Sequence, residues 1–164
     1  MLEVNSDNFG DIYRKMIAFF TAGDVESRVL RNPSDETPNG KGKNEGKVVA
    51  PVAFYVDARA VQNRLDWTVG PHNWKEETTL LPEGAVCLLS IKINGEWVTK
   101  SGVSEYTEIE GTKGGASKAL VRAASTWGIG RYFYEIKNVW HPVVKRGKGW
   151  YLEGTPEIPS DYLP

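Results

Sequence analysis

A lysine and an arginine are spaced one helical turn apart in the stretch 114–134, GGASKALVRAASTWGIGRYFY. Lys118, Arg122 and Ser125 share one face of a helical wheel, because residues four and seven apart lie above one another. The apolar residues of the stretch share the opposite face: Ala116, Leu120, Ala123, Ala124 and Trp127. The pattern predicts a helix of about three to four turns. One face would be buried, and the other would meet an anionic group such as phosphate.

Glycines mark both ends of this predicted helix. Those before it predict a loop over 105–115, and Gly128 is placed to close the last turn in the left-handed conformation. Lys113 would extend the basic face through that loop. Each basic residue also has a plainer interpretation. Lys118 and Arg122 fit a solvated helix face, and Arg131 fits a structural ion pair as well as a phosphate contact.

Aromatic residues follow at Trp127 and at 132–134. Base stacking is one interpretation of this block. Packing in the core is favoured, because Trp127 lies on the apolar side of the helix and a small sheet needs large residues to cover it. The Gly-Ile-Gly segment at 128–130 is not a nucleotide-binding loop, since it follows a helix instead of joining a strand to a helix N-terminus.

Composition limits where an anionic partner can bind. The 164 residues, 40% of them hydrophobic, predict a single domain over 1–164. A net charge of −1 gives no global basic field, so phosphates must be met by a local stripe of Lys and Arg. The single Cys87 lies in an apolar run, which predicts a buried, reduced thiol and a cytoplasmic protein. No apolar run approaches the roughly 20 residues that span a bilayer.

The first part of the chain must supply elements that support this helix. An amphipathic helix is predicted over 8–21 and a mobile surface loop over 32–47. A strand follows over 48–56, which Pro51 would place at a sheet edge or make irregular at its start. A further helix is predicted over 57–69, with Asp57 as its N-cap.

An α+β fold follows from the order of the remaining patterns. Strands at 73–81, 85–93 and 96–104 form a three-stranded antiparallel sheet, since Asn-Gly between the last two is a strong hairpin signal. The helix of 114–134 would cover one face of that sheet. A C-terminal hairpin is predicted over 139–152, turning at 146–149, and the tail 153–164 is predicted to be loosely held. The core of the fold would span 48–137.

Enzymatic alternatives are weak. His72 and His141 lack partners at metal-ligand spacing, which favours structural or surface roles. Three glutamates could hold Mg²⁺ for a nuclease, although a solvated loop explains them more simply: Glu105, Glu108 and Glu110. The sequence therefore predicts no enzyme, no metal and no cofactor.

Three blocks in fixed order carry a family resemblance. They are YVDARAVQNRLD at 55–66, Asn-Trp at 73–74, and ALVRAA at 119–124 with WGIGRYFY at 127–134. In order and spacing they resemble the Rad-fifty-two superfamily of single-strand annealing proteins, most closely its bacterial and phage branch of the DNA damage response protein A type. The resemblance covers 52–136, about half of the chain.

This resemblance implies a β-β-β-α core, rings or related multimers, and a groove that binds single-stranded DNA. Annealing would then need neither ATP nor metal. Arg122 matches the basic residue of the family helix that meets the DNA backbone, and Tyr55 matches the aromatic at the head of the first block. The chain departs from the eukaryotic pattern of basic residues at three positions: Ala60, Val121 and Ser125. The groove would be less basic here, or filled instead by Lys113, Lys118, Arg59 and Arg131.

The functional hypothesis is a single-stranded DNA-binding and annealing protein of recombination and repair, in a bacterial or phage-infected cytoplasm. Two alternatives stay open: a binder that protects DNA 3′ ends without efficient annealing, and a metal-dependent nuclease. For assembly into a ring or filament, the N-terminal helix and the sheet edge at 48–56 are the predicted contact surfaces. No particular partner protein is predicted.

Overall fold

The computed structural model describes residues 3–33, 43–44, 47–105, 111–137 and 139–164. The chain forms two compact units, a first unit of Met1–Phe20 with Val56–Arg131 and a second unit of Thr21–Tyr55 with Tyr132–Pro164. The first unit holds α1 (Phe9–Ile17), α2 (Ala58–Thr68), β4 (Trp74–Leu81), β5 (Gly84–Ile93), β6 (Glu96–Glu105) and α3 (Gly111–Thr126). The second unit holds β1 (Glu26–Val29), β2 (Lys43–Asn44), β3 (Lys47–Tyr55), β7 (Trp140–Arg146) and β8 (Gly149–Leu152).

The first unit is built on the antiparallel sheet β4-β5-β6, which confirms the predicted α+β fold. Asn94 and Gly95 join β5 to β6 with φ of 52° and 81°, the two positive values that a type I′ hairpin turn requires. Alternate residues of β5 point to the same face of the sheet, and four of them are fully buried there: Ala85, Cys87, Leu89 and Ile91.

α3 covers one face of this sheet, as predicted, and its backbone lies close to β6. A Cβ atom added to Gly102 would be 2.1 Å from the Ala123 nitrogen and 2.5 Å from the Ala119 carbonyl oxygen. The indole Nε1 of Trp127 donates to the Leu89 carbonyl at 3.1 Å. The other face of the sheet leaves large apolar side chains exposed: Leu88, Trp97 and Val103.

α3 begins earlier than the sequence predicts. The expected loop over 105–115 is wrong from Gly111 onward, where the chain is already helical; residues 106–110 lie outside the described ranges. Gly115 is buried, and the Ser104 hydroxyl donates to its carbonyl. A glycine is suited to such a close approach between helix and strand. At the other end Gly128 has φ of 94°, so the predicted left-handed stop is confirmed.

α1 packs within the first unit through its buried residues Ile12 and Met16. Arg64 of α2 donates to the carbonyl oxygens just beyond this helix, at 2.6 Å for Ala18 and 3.3 Å for Phe19. Arg64 also donates at 3.2 Å to the carbonyl oxygens of Lys15 and Met16, which lie in the last turn of α1 and which a helix end leaves without intrahelical partners. The predicted N-cap of α2 is confirmed, since the Asp57 carboxylate accepts from the Ala60 nitrogen at 2.8 Å.

The second unit contains a sheet in the order β1-β3-β7-β8, with β2 also paired to β3. The strand predicted over 48–56 is therefore not a sheet edge, because β3 pairs with β1 on one side and β7 on the other. Pro51 is tolerated there because its carbonyl accepts from Leu30, just past the end of β1. Its missing N–H faces the same side, where β1 has already ended.

The predicted C-terminal hairpin is confirmed as β7 and β8, which turn between Arg146 and Gly149. The sequence predicts a loosely held tail over residues 153–164. In the structure Ile158 of this segment is buried. The ring of Tyr162 stacks on the ring of Tyr132, with 6.1 Å between the ring centres. Of the loop predicted over 32–47, residues 34–42, 45 and 46 lie outside the described part of the chain.

Candidate nucleic-acid interface

α3 has the two chemically different faces that the sequence predicts. Its apolar residues are buried against the sheet: Ala119, Leu120, Ala123 and Ala124. Lys118 is half-buried and Arg122 is exposed one turn further along. The structure therefore places both predicted basic residues on one helix, close to each other along its axis.

Arg122 is fixed by a neutral acceptor. Its Nη1 donates to the Val103 carbonyl oxygen at 2.7 Å, which ties the guanidinium to β6, an edge strand of the sheet. A guanidinium has five N–H donors, so other donors remain for a ligand. Within the described ranges no carboxylate lies within ion-pair distance of Arg122. The side chain is thus positioned without losing its charge.

Two further cations meet at the C-terminal end of α3. Arg131 donates from Nε to the Ser125 carbonyl at 2.8 Å and from Nη2 to the Thr126 carbonyl at 2.7 Å. Lys100 of β6 donates to the same Thr126 oxygen at 2.9 Å. Cations are favoured at a helix C-terminus because the last carbonyls are unpaired and carry partial negative charge. The ion pair considered for Arg131 is thus replaced by a helix cap.

Together these side chains form what we name the α3 basic stripe: Lys118, Arg122, Arg131 and Lys100. Lys118 and Arg122 belong to α3, and the other two side chains bind carbonyl oxygens at its residues 125 and 126. Residues 118 to 126 span about 12 Å along the helix axis at the usual rise per residue. In the described part of the chain, Arg131 and Lys100 pair with carbonyl oxygens and with no carboxylate. A row of positioned cations of this kind is suited to contact a phosphate backbone.

The other predicted site residues are Lys113, Arg59 and Tyr55. Lys113 lies in the first turn of α3 and not in a loop, and its side chain is outside the described residues. Arg59 extends from the first turn of α2, with its Nε 3.8 Å from Asp57 Oδ2 and its side chain 89% exposed. Tyr55 ends β3 in the second unit, opposite Glu26.

Lys100 was missed by sequence reasoning. Its neighbours along β6 point to the open face of the sheet, so Lys100 points to the face that α3 covers. Its Nζ lies 4.5 Å from the centre of the Trp127 ring. The alternation of β6 could have placed Lys100 on the α3 side. The place where α3 ends on that sheet is a tertiary feature that the alternation does not contain.

The aromatic block divides between two roles. Trp127 is 3% exposed and Tyr132 is 8% exposed, which confirms core packing for both. Tyr134 is 67% exposed, so the expectation of core packing is wrong for that residue. α3 ends at Thr126, before this block. Tyr134 belongs instead to the short 3-10 helix Arg131–Tyr134, so the apolar face of α3 does not determine where its ring lies.

Two burial effects concern titratable groups near the sheet. Burial raises the pKa of the Cys87 thiol, which is free and 0% exposed, as the sequence predicts for a core cysteine. Partial desolvation raises the pKa of Glu76 in β4, and a hydrogen bond with Gln62 offsets part of that rise. Over the ranges that the structure describes, His, Cys, Asp and Glu side chains form no group of three suited to a metal ion.

Comparison with known proteins gives two relatives. No family model matches the chain. It is 34% identical over 99 residues to the single-stranded DNA-binding protein DdrA of Deinococcus radiodurans, which covers 59% of this chain and 47% of that protein. It is 36% identical over 88 residues to the protein of the same name from Deinococcus deserti, which covers 52% of this chain and 43% of that protein.

The chain matches less than half the length of either relative. Among the described residues, no helix combines the length and the apolar character needed to cross a membrane. The fold and the α3 basic stripe thus belong to a chain that is similar, over a little more than half its own length, to proteins named as single-stranded DNA-binding.

Proposed function

We propose that this chain binds single-stranded DNA along the α3 basic stripe and serves DNA repair or recombination. The observation that carries the proposal is Arg122, an exposed guanidinium fixed on the Val103 carbonyl without a carboxylate partner in the described residues. Both relatives are named as single-stranded DNA-binding proteins, which supports the same ligand. Lys113, Arg59 and Tyr55 remain proposed contacts of the bound strand.

The proposed mechanism is positional and involves no covalent step. Cations that hold phosphates leave the bases exposed, since phosphate contacts fix the register of a strand without reading its sequence. A complementary strand can then pair with the exposed bases, and the pairing energy drives annealing. In this proposal the process requires neither ATP nor metal ions.

Assembly into a ring or a related multimer is also part of the proposal. β3 is paired on both sides, so it does not offer the edge that the sequence suggested. β4 and β6 are the edge strands of the first unit, and an edge strand is a template for pairing with another chain. A repeated array of protomers would extend the α3 basic stripe over many nucleotides.

An annealing assay tests this function. Labelled complementary oligonucleotides are mixed with the protein in EDTA, and duplex formation, strand length and binding are followed together. We expect duplex formation to be accelerated in EDTA with both strands intact. Binding without acceleration would reject annealing and favour protection of DNA 3′ ends. Strand shortening that begins on adding Mg²⁺ would contradict the proposal and indicate a nuclease.

A further inference from the structure

The hairpin of β7 and β8 ends in a tight, regular turn. Arg146 pairs with Gly149, which leaves Gly147 and Lys148 as the two turn residues. Gly147 has φ of 58° at the first central position, where a type II′ turn requires glycine. The turn is therefore defined by its backbone, and it fixes the register of the side chains beside it.

Three cations surround this turn, and nothing in the described chain neutralises them. Lys145, Arg146 and Lys148 are all exposed, and no carboxylate of the described residues lies within ion-pair distance of them. Glu153, which follows the hairpin, pairs with Lys47 at 3.3 Å. A solvated turn would explain charge alone, but it would not explain the aromatic residues that accompany these cations.

Each face of the hairpin pairs a cation with an aromatic ring. Lys145 lies opposite Trp150, and its Nζ is 6.0 Å from the centre of that ring. On the other face the guanidinium carbon of Arg146 lies 5.9 Å from the centre of the Tyr151 ring. Each face of the β7-β8 hairpin therefore carries one cation beside one aromatic ring.

The ring of Tyr151 lies against Gly149. A Cβ atom added to Gly149 would lie 3.2 Å from Tyr151 Cε2 and 3.3 Å from its hydroxyl oxygen. The ring thus rests over backbone that carries no side chain, and it stays 52% exposed. An exposed ring beside a guanidinium that no carboxylate of the described residues neutralises combines the two contacts that single-strand binders use, base stacking and phosphate attraction.

We infer that the β7-β8 hairpin is a separate contact for single-stranded nucleic acid, with Tyr151 stacking on an unpaired base and the three cations meeting the phosphates beside it. The inference deepens the proposed function and rests on it, because it assigns a second element to the same class of ligand. It uses residues of the second unit alone.

The test measures affinity for a labelled oligonucleotide over a range of salt. The charge variant is Lys145→Gln/Arg146→Gln/Lys148→Gln, and its matched control, Lys145→Arg/Arg146→Lys/Lys148→Arg, keeps all three charges. Each phosphate contact contributes about 0.7 to the slope of log affinity against log salt for single strands. We expect the slope of the Gln variant to fall by about 2 and the control to keep most of it.

The aromatic contact is tested with Tyr151→Leu against Tyr151→Phe. Loss of one stacked base weakens binding by about fivefold or more, so we expect that loss for Leu and recovery for Phe. Binding to a blunt duplex of equal length should be the same for Leu and Phe, because paired bases cannot stack on the ring. Circular dichroism and thermal unfolding establish that each variant is folded.

The outcomes separate this inference from the proposed function. If Arg122→Gln weakens single-strand binding while the folded hairpin variants bind as the native chain does, the hairpin inference is wrong and the function stands. If Tyr151→Leu weakens duplex and single strand equally, the stacking contact is wrong. If the native chain binds no single strand, both proposals fail.

Discussion

Arg122 and Arg131 are both held in place by hydrogen bonds, and in the described part of the chain no carboxylate neutralises them. Both guanidinium groups donate to backbone carbonyl oxygens, at 2.7 Å for Val103 and 2.8 Å for Ser125. A neutral acceptor orients the side chain, whereas a carboxylate would also cancel its charge. This difference is why we assign the α3 basic stripe to a phosphate ligand, and why the exposed pair of Arg14 with Asp11 carries no such assignment.

Glu76 gives a prediction at the residue scale. Desolvation raises its pKa above the ordinary value of 4.5, so the fold disfavours the ionised form. The folded state then binds more protons than the unfolded state between these two pKa values, and stability falls as pH rises through that window. We expect Glu76→Gln to raise the Tm slightly at pH 7, with the difference closing well below pH 4.5.

Glu77 provides the matched control for this change. It is the next residue in β4, it faces the other side of the sheet, and its Oε1 lies 3.0 Å from Lys75 Nζ. Glu77→Gln makes the same change in net charge but removes an exposed ion pair of small value. Thermal unfolding at several pH values should show no gain for Glu77→Gln. An equal gain in both variants would mean that net charge, and not desolvation of Glu76, sets the effect.

At the scale of elements, Gly102 sets the distance between α3 and β6. Its missing Cβ would meet backbone atoms of Ala119 and Ala123 at 2.5 Å and 2.1 Å, and backbone cannot yield as a side chain can. We expect Gly102→Ala to destabilise the fold by about 1 to 3 kcal/mol, the usual cost of overpacking. It should also weaken DNA binding, because α3 carries the basic stripe. Urea unfolding and oligonucleotide titration measure the two effects.

Gly10→Ala is the control at this scale. Gly10 lies in α1, and an added Cβ would find nothing within 4 Å. Alanine is a better helix former than glycine, so this variant should gain up to about 1 kcal/mol of stability. Equal destabilisation by both substitutions would contradict the role given to Gly102.

Local signals in the sequence were enough for much of the fold. Asn94-Gly95 encodes its own turn, and the two faces of α3 follow from spacing within the helix. β1, with four residues, and the pairing of β3 on both sides were missed because they depend on partners far along the chain. The start of α3 was missed because its glycines indicate a loop locally, while contact with Ser104 of β6 places them in a helix.

The candidate site was predictable to the same extent. Lys118 and Arg122 are neighbours on one helix, so spacing alone brought them together. Lys100 joins them only because β6 passes the C-terminal end of α3, where its Nζ meets the Thr126 carbonyl. Arg131 was considered as an ion-pair partner, yet helix carbonyls are its acceptors. Contacts between elements decide such roles, and residue types alone do not contain them.

At the scale of the whole molecule, charge placement matters more than total charge. The chain has a net charge of −1, so attraction to a polyanion must come from local groups of cations. The first unit carries such a group in the α3 basic stripe and the second carries one in the β7-β8 hairpin. We propose that each of these groups is a contact surface for nucleic acid, so that a bound strand would be held at more than one point.

The salt dependence of single-strand binding tests the central claim most directly. Affinity for one oligonucleotide is measured over a range of salt for the native chain, Arg122→Gln and Arg14→Gln. Both variants remove one exposed arginine charge. Arg14 is paired with the carboxylate of Asp11, whereas no carboxylate of the described residues lies within ion-pair distance of Arg122. We predict that Arg122→Gln binds more weakly with a slope smaller by about 0.7, while Arg14→Gln matches the native chain. A folded Arg122→Gln with native affinity and native slope would contradict the account.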